Sequence, residues 1–132
     1  MTPQMYREWE QSILAEGVER WALYARHRGT GELAGYTEVL WTPHQPKTLF
    51  QGDTGVRPEH RGHALGKWLK AAMLERVMTE RPGAEDVRTG NADSNDAMLG
   101  INRALGFRPY IAYTVWQVRL ETVRDYLSGS SV

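Results

Sequence analysis

Residues 56–70, VRPEHRGHALGKWLK, gather chemistry that the rest of the chain lacks. Arg57, Arg61, Lys67 and Lys70 face one anion, Glu59, and His60 and His63 lie between them. A β-forming run precedes the stretch and a helix-forming run follows it. Backbone N–H groups at such a helix start have no intrahelical partner, and the helix dipole adds to their pull on an anion. Gly62 suits either a close approach by a phosphate or a positive φ angle. A solvated basic turn ahead of an ordinary surface helix fits the same composition, and a short glycine pattern does not choose between them.

Charge balance makes the stretch informative. Sixteen basic and sixteen acidic residues cancel over 132 residues, so any anion site is local and a nucleic-acid-coating role is disfavoured. Neither G-x-x-x-x-G-K-[ST] nor a G-x-G-x-x-G opening a βαβ unit near the start is present, which argues against a P-loop NTPase and a Rossmann dehydrogenase. The chain has no cysteine, hence no disulfide, thiolate metal site or cysteine nucleophile. No apolar run approaches the roughly 18 residues that a membrane span needs. The start MTPQMYREWE lacks the basic and apolar regions of a secretory leader, so the expected location is the cytoplasm.

The elements around the loop follow from periodicity and punctuation. Length allows one domain, 1–132. Thr2-Pro3 opens a helix over 3–16, with Met5, Trp9, Ile13 and Leu14 at helical spacing. Residues 18–42 alternate around RGTGEL as an antiparallel hairpin, and 48–56 form a third strand with a bulge or close approach at Gly52 and Gly55. Leu65, Trp68, Leu69, Ala72, Met73 and Val77 make an apolar helical stripe that ends before Pro82-Gly83. EDVRTGN is a short strand, and DSNDAMLGINRAL is a helix capped by Asp93 or Ser94 and closed by Gly106. FRPYIAYTVWQVRL is a last long strand, bent or at an edge near Pro109. The order αβββαβαβ predicts an α/β (α+β) fold, a mixed and mostly antiparallel sheet with helices on both faces.

VRPEHRGHALGKWLK followed by TGNADSNDAMLGINRALGF at 89–107 resembles the coenzyme-binding half of the GNAT superfamily of acyl-coenzyme A-dependent N-acetyltransferases. More narrowly it resembles the actinobacterial members related to mycothiol synthase, over roughly residues 30–120. In the family pattern, Gln or Arg, two residues, Gly, one residue, Gly or Ala, the positions here are Glu59, Gly62 and Ala64. Glu59 departs from the pattern, whereas Arg61 keeps its Arg-Gly step.

The resemblance implies that acetyl-CoA is bound by the amides of Arg61, Gly62, His63, Ala64, Leu65, Gly66 and Lys67, with the coenzyme arm pairing along Val56 and Arg57. It places Asn91 and Asn95 beside that arm. Family members usually carry a strand and a helix ahead of the helix at 3–16, so the sheet is expected to lack that strand and to leave an edge near 20–28; a trimmed start, a minimal domain and a homodimer that covers the edge are the accounts, and the homodimer is the one expected.

Transfer to a small-molecule amine would need an oxyanion donor near Val56 and a base. Asp53 and Glu38 on neighbouring strands are the candidates, with His44 a third. The family's tyrosine acid falls at Asn102, which cannot donate as an acid but can hydrogen-bond the sulfur or the arm; Tyr110 and Tyr113 are possible substitutes. Trp41 beside the Pro-rich loop could wall an acceptor pocket. Competing readings are a non-catalytic acyl-CoA-binding or structural half-domain and, on the basic loop alone, a nucleic-acid module.

Overall fold

A computed structural model describes residues 1–130. Helix α1 (Pro3–Ala15) starts where Thr2 Oγ1 accepts from the Met5 amide at 3.2 Å, with proline in the first turn, as the Thr-Pro signal predicts. Strands β1 (Glu19–Arg26), β2 (Leu33–Trp41) and β3 (Thr48–Val56) form an antiparallel meander. Helix α2 (Leu65–Glu80) follows, then β4 (Asp86–Arg88), α3 (Asp96–Ala104) and a short α4 (Leu120–Asp125) continued by a wide turn through Ser130. The sheet order is β1-β2-β3-β4, and β4 runs parallel to β3. This is the mixed, mostly antiparallel sheet that the sequence predicts.

Helices lie on both faces. Val39, Leu49, Met73 and Val77 form the core between the sheet and α2, with Trp21, Leu23, Trp41, Ala84 and Val87 packed around them. Full burial of such side chains contributes about 2 kcal/mol each. On the opposite face Arg20 reaches Glu10 and the Tyr6 ring, both on α1, as well as Glu38 on β2. No helix among the described residues is long and apolar enough to cross a membrane.

Several expectations change. The α2 stripe is Gly66, Leu69, Lys70, Met73 and Val77, while Trp68 is 61% exposed. An amphipathicity count that credits only apolar residues misses a lysine whose stem packs inward. Strand EDVRTGN shrinks to Asp86–Arg88, and the α3 cap is Asn95, which accepts from the Met98 amide, rather than Asp93 or Ser94. The largest difference is at 107–119, expected as a strand and found without strand pairing, its side chains exposed beyond Phe107. A strand gains from pairing and from a buried face. β4 offers an edge of three residues that the run meets through Tyr110 and Arg88 without pairing, so neither gain is realised among the described residues.

Close packing at one glycine seats α2 over the end of β3. A Cβ at Gly35 would lie 2.8 Å from the Gly55 carbonyl oxygen, 3.2 Å from Leu69 Cδ1 and 3.3 Å from Val56 Cγ2. Replacing Gly35 by valine is expected to lower unfolding free energy by about 2 kcal/mol through overpacking, measured by urea denaturation; unchanged stability would contradict the close approach.

Candidate functional site

Strands β3 and β4 pair only from Thr48–Phe50 with Asp86–Arg88. Beyond that point β3 continues to Val56 while β4 has ended, so a gap opens between them. Arg57 N–H donates to the Ala34 carbonyl across β2 at 2.8 Å. Because backbone groups alternate along an antiparallel strand, Val56 turns its N–H and C=O away from β2, into the gap. There the Val56 carbonyl accepts from Arg61 Nε at 3.1 Å.

The loop beyond Val56 makes a short 3-10 turn (Pro58–His60) and enters α2 through two left-handed residues, Gly62 at φ +83° and Ala64 at φ 55°. The glycine therefore serves its positive φ, and a Cβ there would meet nothing within 4 Å. Left-handed turns point successive amides the same way. The amides of Gly62, His63, Ala64, Leu65, Gly66 and Lys67 have no hydrogen-bond acceptor among the described residues, whereas the Arg61 amide donates to Pro58. A cluster of unpaired N–H groups at the N-terminus of a long helix fits a multi-oxygen anion such as a pyrophosphate.

The side-chain cations are placed less simply than the local charge suggests. Arg57 faces Glu32 at 3.7 Å and Glu59 at 3.9 Å. Arg61 is turned back onto the strand, and Lys70 is buried at 1% exposure under α3. Among the described residues Lys67 alone of the four has no side-chain partner, and it is exposed. Glu59, the departure from the family pattern, is exposed and partly offset by Arg57.

The predicted carboxylates lie together at an irregularity of the β2–β3 ladder. Thr37 pairs with Thr54 and Val39 with Gln51, so β3 carries one extra residue opposite Glu38. This is the arithmetic of a bulge. A Cβ at Gly52 would stand 2.7 Å from Glu38 Cγ and Oε1, so glycine there makes room for the buried carboxylate. Glu38 Oε2 receives Arg20 at 2.5–2.6 Å from two nitrogens, and Oε1 accepts weakly from the Asp53 amide at 3.4 Å. Asp53 is exposed by the bulge, and no side-chain partner for it is found among the described residues. Burial, then the charges of Asp53 and Glu38, push the Tyr36 phenol up from its ordinary value. Tyr36 stacks on Tyr24, 6.1 Å between centroids, and both line a groove of about 350 Å3 that reaches Gly55, Val56 and Arg57.

His44 and Trp41 fall elsewhere. Their loop joins β2 to β3 at the end opposite Val56, some eight residues and about 27 Å along the strand. His44 is exposed there, and Trp41 is covered by Arg81, whose guanidinium lies 3.8 Å from the ring centre. The structure does not bring either to the loop. Tyr113 is 85% exposed, and Tyr110 lies under Arg88, 4.6 Å from its ring centre.

The asparagines separate into two kinds. Asn95 caps α3. Asn102, 6% exposed on the last turn of α3, donates from Nδ2 to Asn91 Oδ1 at 2.7 Å, and its Oδ1 accepts from Lys70 Nζ at 2.5 Å. Asn91 follows β4 at the mouth of the gap. The sequence shows Lys70 as one of four cations in the 57–70 stretch; the signal for its burial is its position in the i, i+3, i+7 row with Met73 and Val77. Burial pulls its pKa down from the ordinary lysine value.

The acetyltransferase (GNAT) family model matches residues 2–107. No curated protein matches the chain. A tandem GNAT protein from the clavulanic acid biosynthesis pathway, solved without AcCoA, is similar at 45% identity and a TM-score of 0.76. The match covers 80% of this chain and 32% of that one, so the chain spans about a third of that relative's length. A Trypanosoma brucei acetyltransferase matches at 19% identity, TM-score 0.64, over 89% of this chain and 81% of its own. AAC(6')-Iy, in complex with the bisubstrate analog CoA-S-monomethyl-acetylneamine, matches at 17% identity, TM-score 0.66, over 89% and 81%. At those two identities the likeness speaks for the fold alone.

The amide cluster generates a direct test. Gly62→Glu is expected to weaken coenzyme A binding about 100-fold or more by placing negative charge beside the anion. Gly62→Ala carries the same left-handed strain, about 1 kcal/mol of stability, and is expected to keep most of the affinity. Calorimetric titration of both variants, with urea denaturation alongside, separates charge from strain; equal affinities would remove the cluster from the binding site.

Proposed function

The chain belongs to the acetyltransferase (GNAT) family, and we propose that it transfers an acetyl group from acetyl-CoA to a primary amine of a small molecule by direct attack. The observation that carries this reading is the run of unpaired amides from Gly62 to Lys67 next to the strand end at Val56. Acetyl-CoA supplies an activated thioester when bound. In this reading the loop amides hold its pyrophosphate, and the edges of Val56 and Arg57, with Asn91, Asn95 and Asn102, guide its arm.

The Val56 N–H donates to the carbonyl oxygen as negative charge develops there, a role worth about 3 kcal/mol per donor in other acyl-transfer sites. Asp53 accepts the amine's proton, directly or through water. It is preferred over Glu38, because Arg20 engages Glu38 while Asp53 is solvent-accessible. Asn102 donates to the sulfur, and no acid is required of it, since a thiolate is a good leaving group with an ordinary pKa near 8.5. The Tyr24–Tyr36 groove beside two carboxylates suits a cationic amine. The neighbour bound to an aminoglycoside-derived analog supports that acceptor class by analogy. The likeness of 56–70 and 89–107 to mycothiol-synthase-like proteins supports placement in that branch, with action in the cytoplasm.

Calorimetry with acetyl-CoA and a thiol-release assay over a panel of amines test the reading. Micromolar binding with amine-dependent thiol release is expected, and Asp53→Asn should lower kcat/KM for the amine about 100-fold while leaving coenzyme affinity unchanged. Binding without thiol release for any amine would favour the non-catalytic coenzyme-binding domain.

We also propose a homodimer in which residues 109–118 pair with a second copy. These ten residues carry no charge, and Ile111, Tyr113, Val115, Trp116 and Val118 are all more than half exposed. Exposed apolar surface of that extent marks an interaction site, and a β-rich run can add to a sheet edge. Sedimentation velocity is expected to give a dimer for the intact chain and a monomer for Val115→Lys/Trp116→Lys; a monomeric intact chain overturns the pairing.

A further inference from the structure

Lys70 is the largest of the fully buried side chains, and none of its recorded contacts is a carboxylate. Its Nζ donates to Asn102 Oδ1 at 2.5 Å, lies 3.8 Å from Met98 Sδ and sits 5.2 Å from the centre of the Phe107 ring. An apolar residue would continue the row of Leu69, Met73 and Val77 on α2 without an ammonium to desolvate. A lysine head has donors only, so the Asn102 amide must turn its oxygen towards it. The Nδ2 end then faces the other way. One of its N–H bonds is taken by Asn91 Oδ1 at 2.7 Å, and the second has no acceptor among the described residues.

We propose that Lys70 is a positioning residue for acyl transfer: by holding Asn102 Oδ1 it fixes the amide so that an Nδ2 N–H is presented to the coenzyme sulfur. The inference rests on the acetyltransferase reading and deepens it. Without Lys70 the amide is free to flip, and the flipped form offers the sulfur an oxygen, which repels the thiolate as the carbon–sulfur bond breaks and the electron pair moves to sulfur. With Lys70 in place the donor is aligned before the bond breaks, and the ammonium polarises it through the hydrogen-bonded chain. Asn91, at the end of β4, restrains the same amide from the other side. The three side chains thus connect α2, α3 and the strand end into one polar unit beside the gap.

The test compares coenzyme A with desulfo-coenzyme A, which lacks the sulfur, and follows acetyl-CoA turnover. The intact protein is expected to bind coenzyme A about tenfold more tightly than the desulfo analog. In Lys70→Met that preference should vanish and kcat should fall at least about tenfold, with KM for acetyl-CoA little changed. Asn102→Asp keeps a partner for Lys70 but loses the N–H, so it should show the same losses with stability retained, and it serves if Lys70→Met does not fold. Adding Lys70→Met to Asn102→Leu should cost nothing beyond Asn102→Leu alone. Multiplying losses in that double variant, or full turnover in Asn102→Asp, would make the network structural only and overturn the proposal. Coenzyme A binding without preference over the desulfo analog defeats this inference alone, whereas absence of binding to either defeats the acetyltransferase reading with it.

Discussion

The parting of β3 from β4 after three residue pairs is the constraint on which the site depends. Buried backbone groups need partners, and a strand that outruns its neighbour leaves one edge without them. Val56 turns its N–H and C=O towards that open edge. Packing makes the opening durable. Gly35 lets Leu69 and Val56 close over the sheet, and a Cβ at Gly66 would meet Ile101 and Val56, so α2 and α3 are both pressed to the strand end. The helix start is thereby held at the top of the gap, where its unpaired amides and the exposed strand edge border the same opening.

Within the sheet the same region is polar where a core would normally be apolar. Thr37 and Thr54 share a hydroxyl hydrogen bond at 2.8 Å, and Gln51 Nε2 donates to Thr37 Oγ1 and to the Glu38 carbonyl. Gln51 Oε1 is buried with no partner among the described residues, a cost of about 1–3 kcal/mol. The bulge at Gly52–Asp53 is what this cluster accommodates. It buries Glu38 against Arg20 and turns Asp53 outwards, so two carboxylates adjacent in space acquire different surroundings. One is held by Arg20, which also reaches Glu10 on α1, and the other is left exposed to solvent. A regular ladder would have placed both by simple alternation and lost that difference.

Local signals carried most of the architecture because each rests on a few adjacent residues. Thr2-Pro3, the turn at 27–32, the glycines of the loop and Gly106, found at φ +91°, all act where the sequence says they do. What was not legible depends on contacts distant in sequence. Lys70 looks like one more cation until α3, some thirty residues later, covers it. Asn95 reads equally well as a ligand or a cap, and the Met98 amide shows that its side-chain oxygen caps α3. The run 107–119 has strong β propensity, yet propensity is realised through neighbours, and among the described residues no strand pairs with it. His44 and Trp41 were drawn towards the site by closeness to β3 in sequence, although antiparallel connection puts their loop at the wrong end.

In the proposed coenzyme site, recognition would rest on directed donors, although the loop looks strongly basic in a chain of zero net charge. Of four cations counted there, Arg57 is paired with Glu32 and Glu59, Arg61 is spent on the Val56 carbonyl, and Lys70 is sealed beneath α3. Most of the attraction is left to backbone amides and the dipole of α2, which are fixed in direction and carry no titrating charge. Such donors are less weakened by Glu59 than a cluster of side-chain cations would be, because a hydrogen bond aimed at an oxygen is decided at contact distance while Glu59 is exposed and faces Arg57. The departure from the family pattern at Glu59 is therefore tolerable at a site built from backbone. The buried lysine instead donates to Asn102, the asparagine that stands where the family pattern has tyrosine.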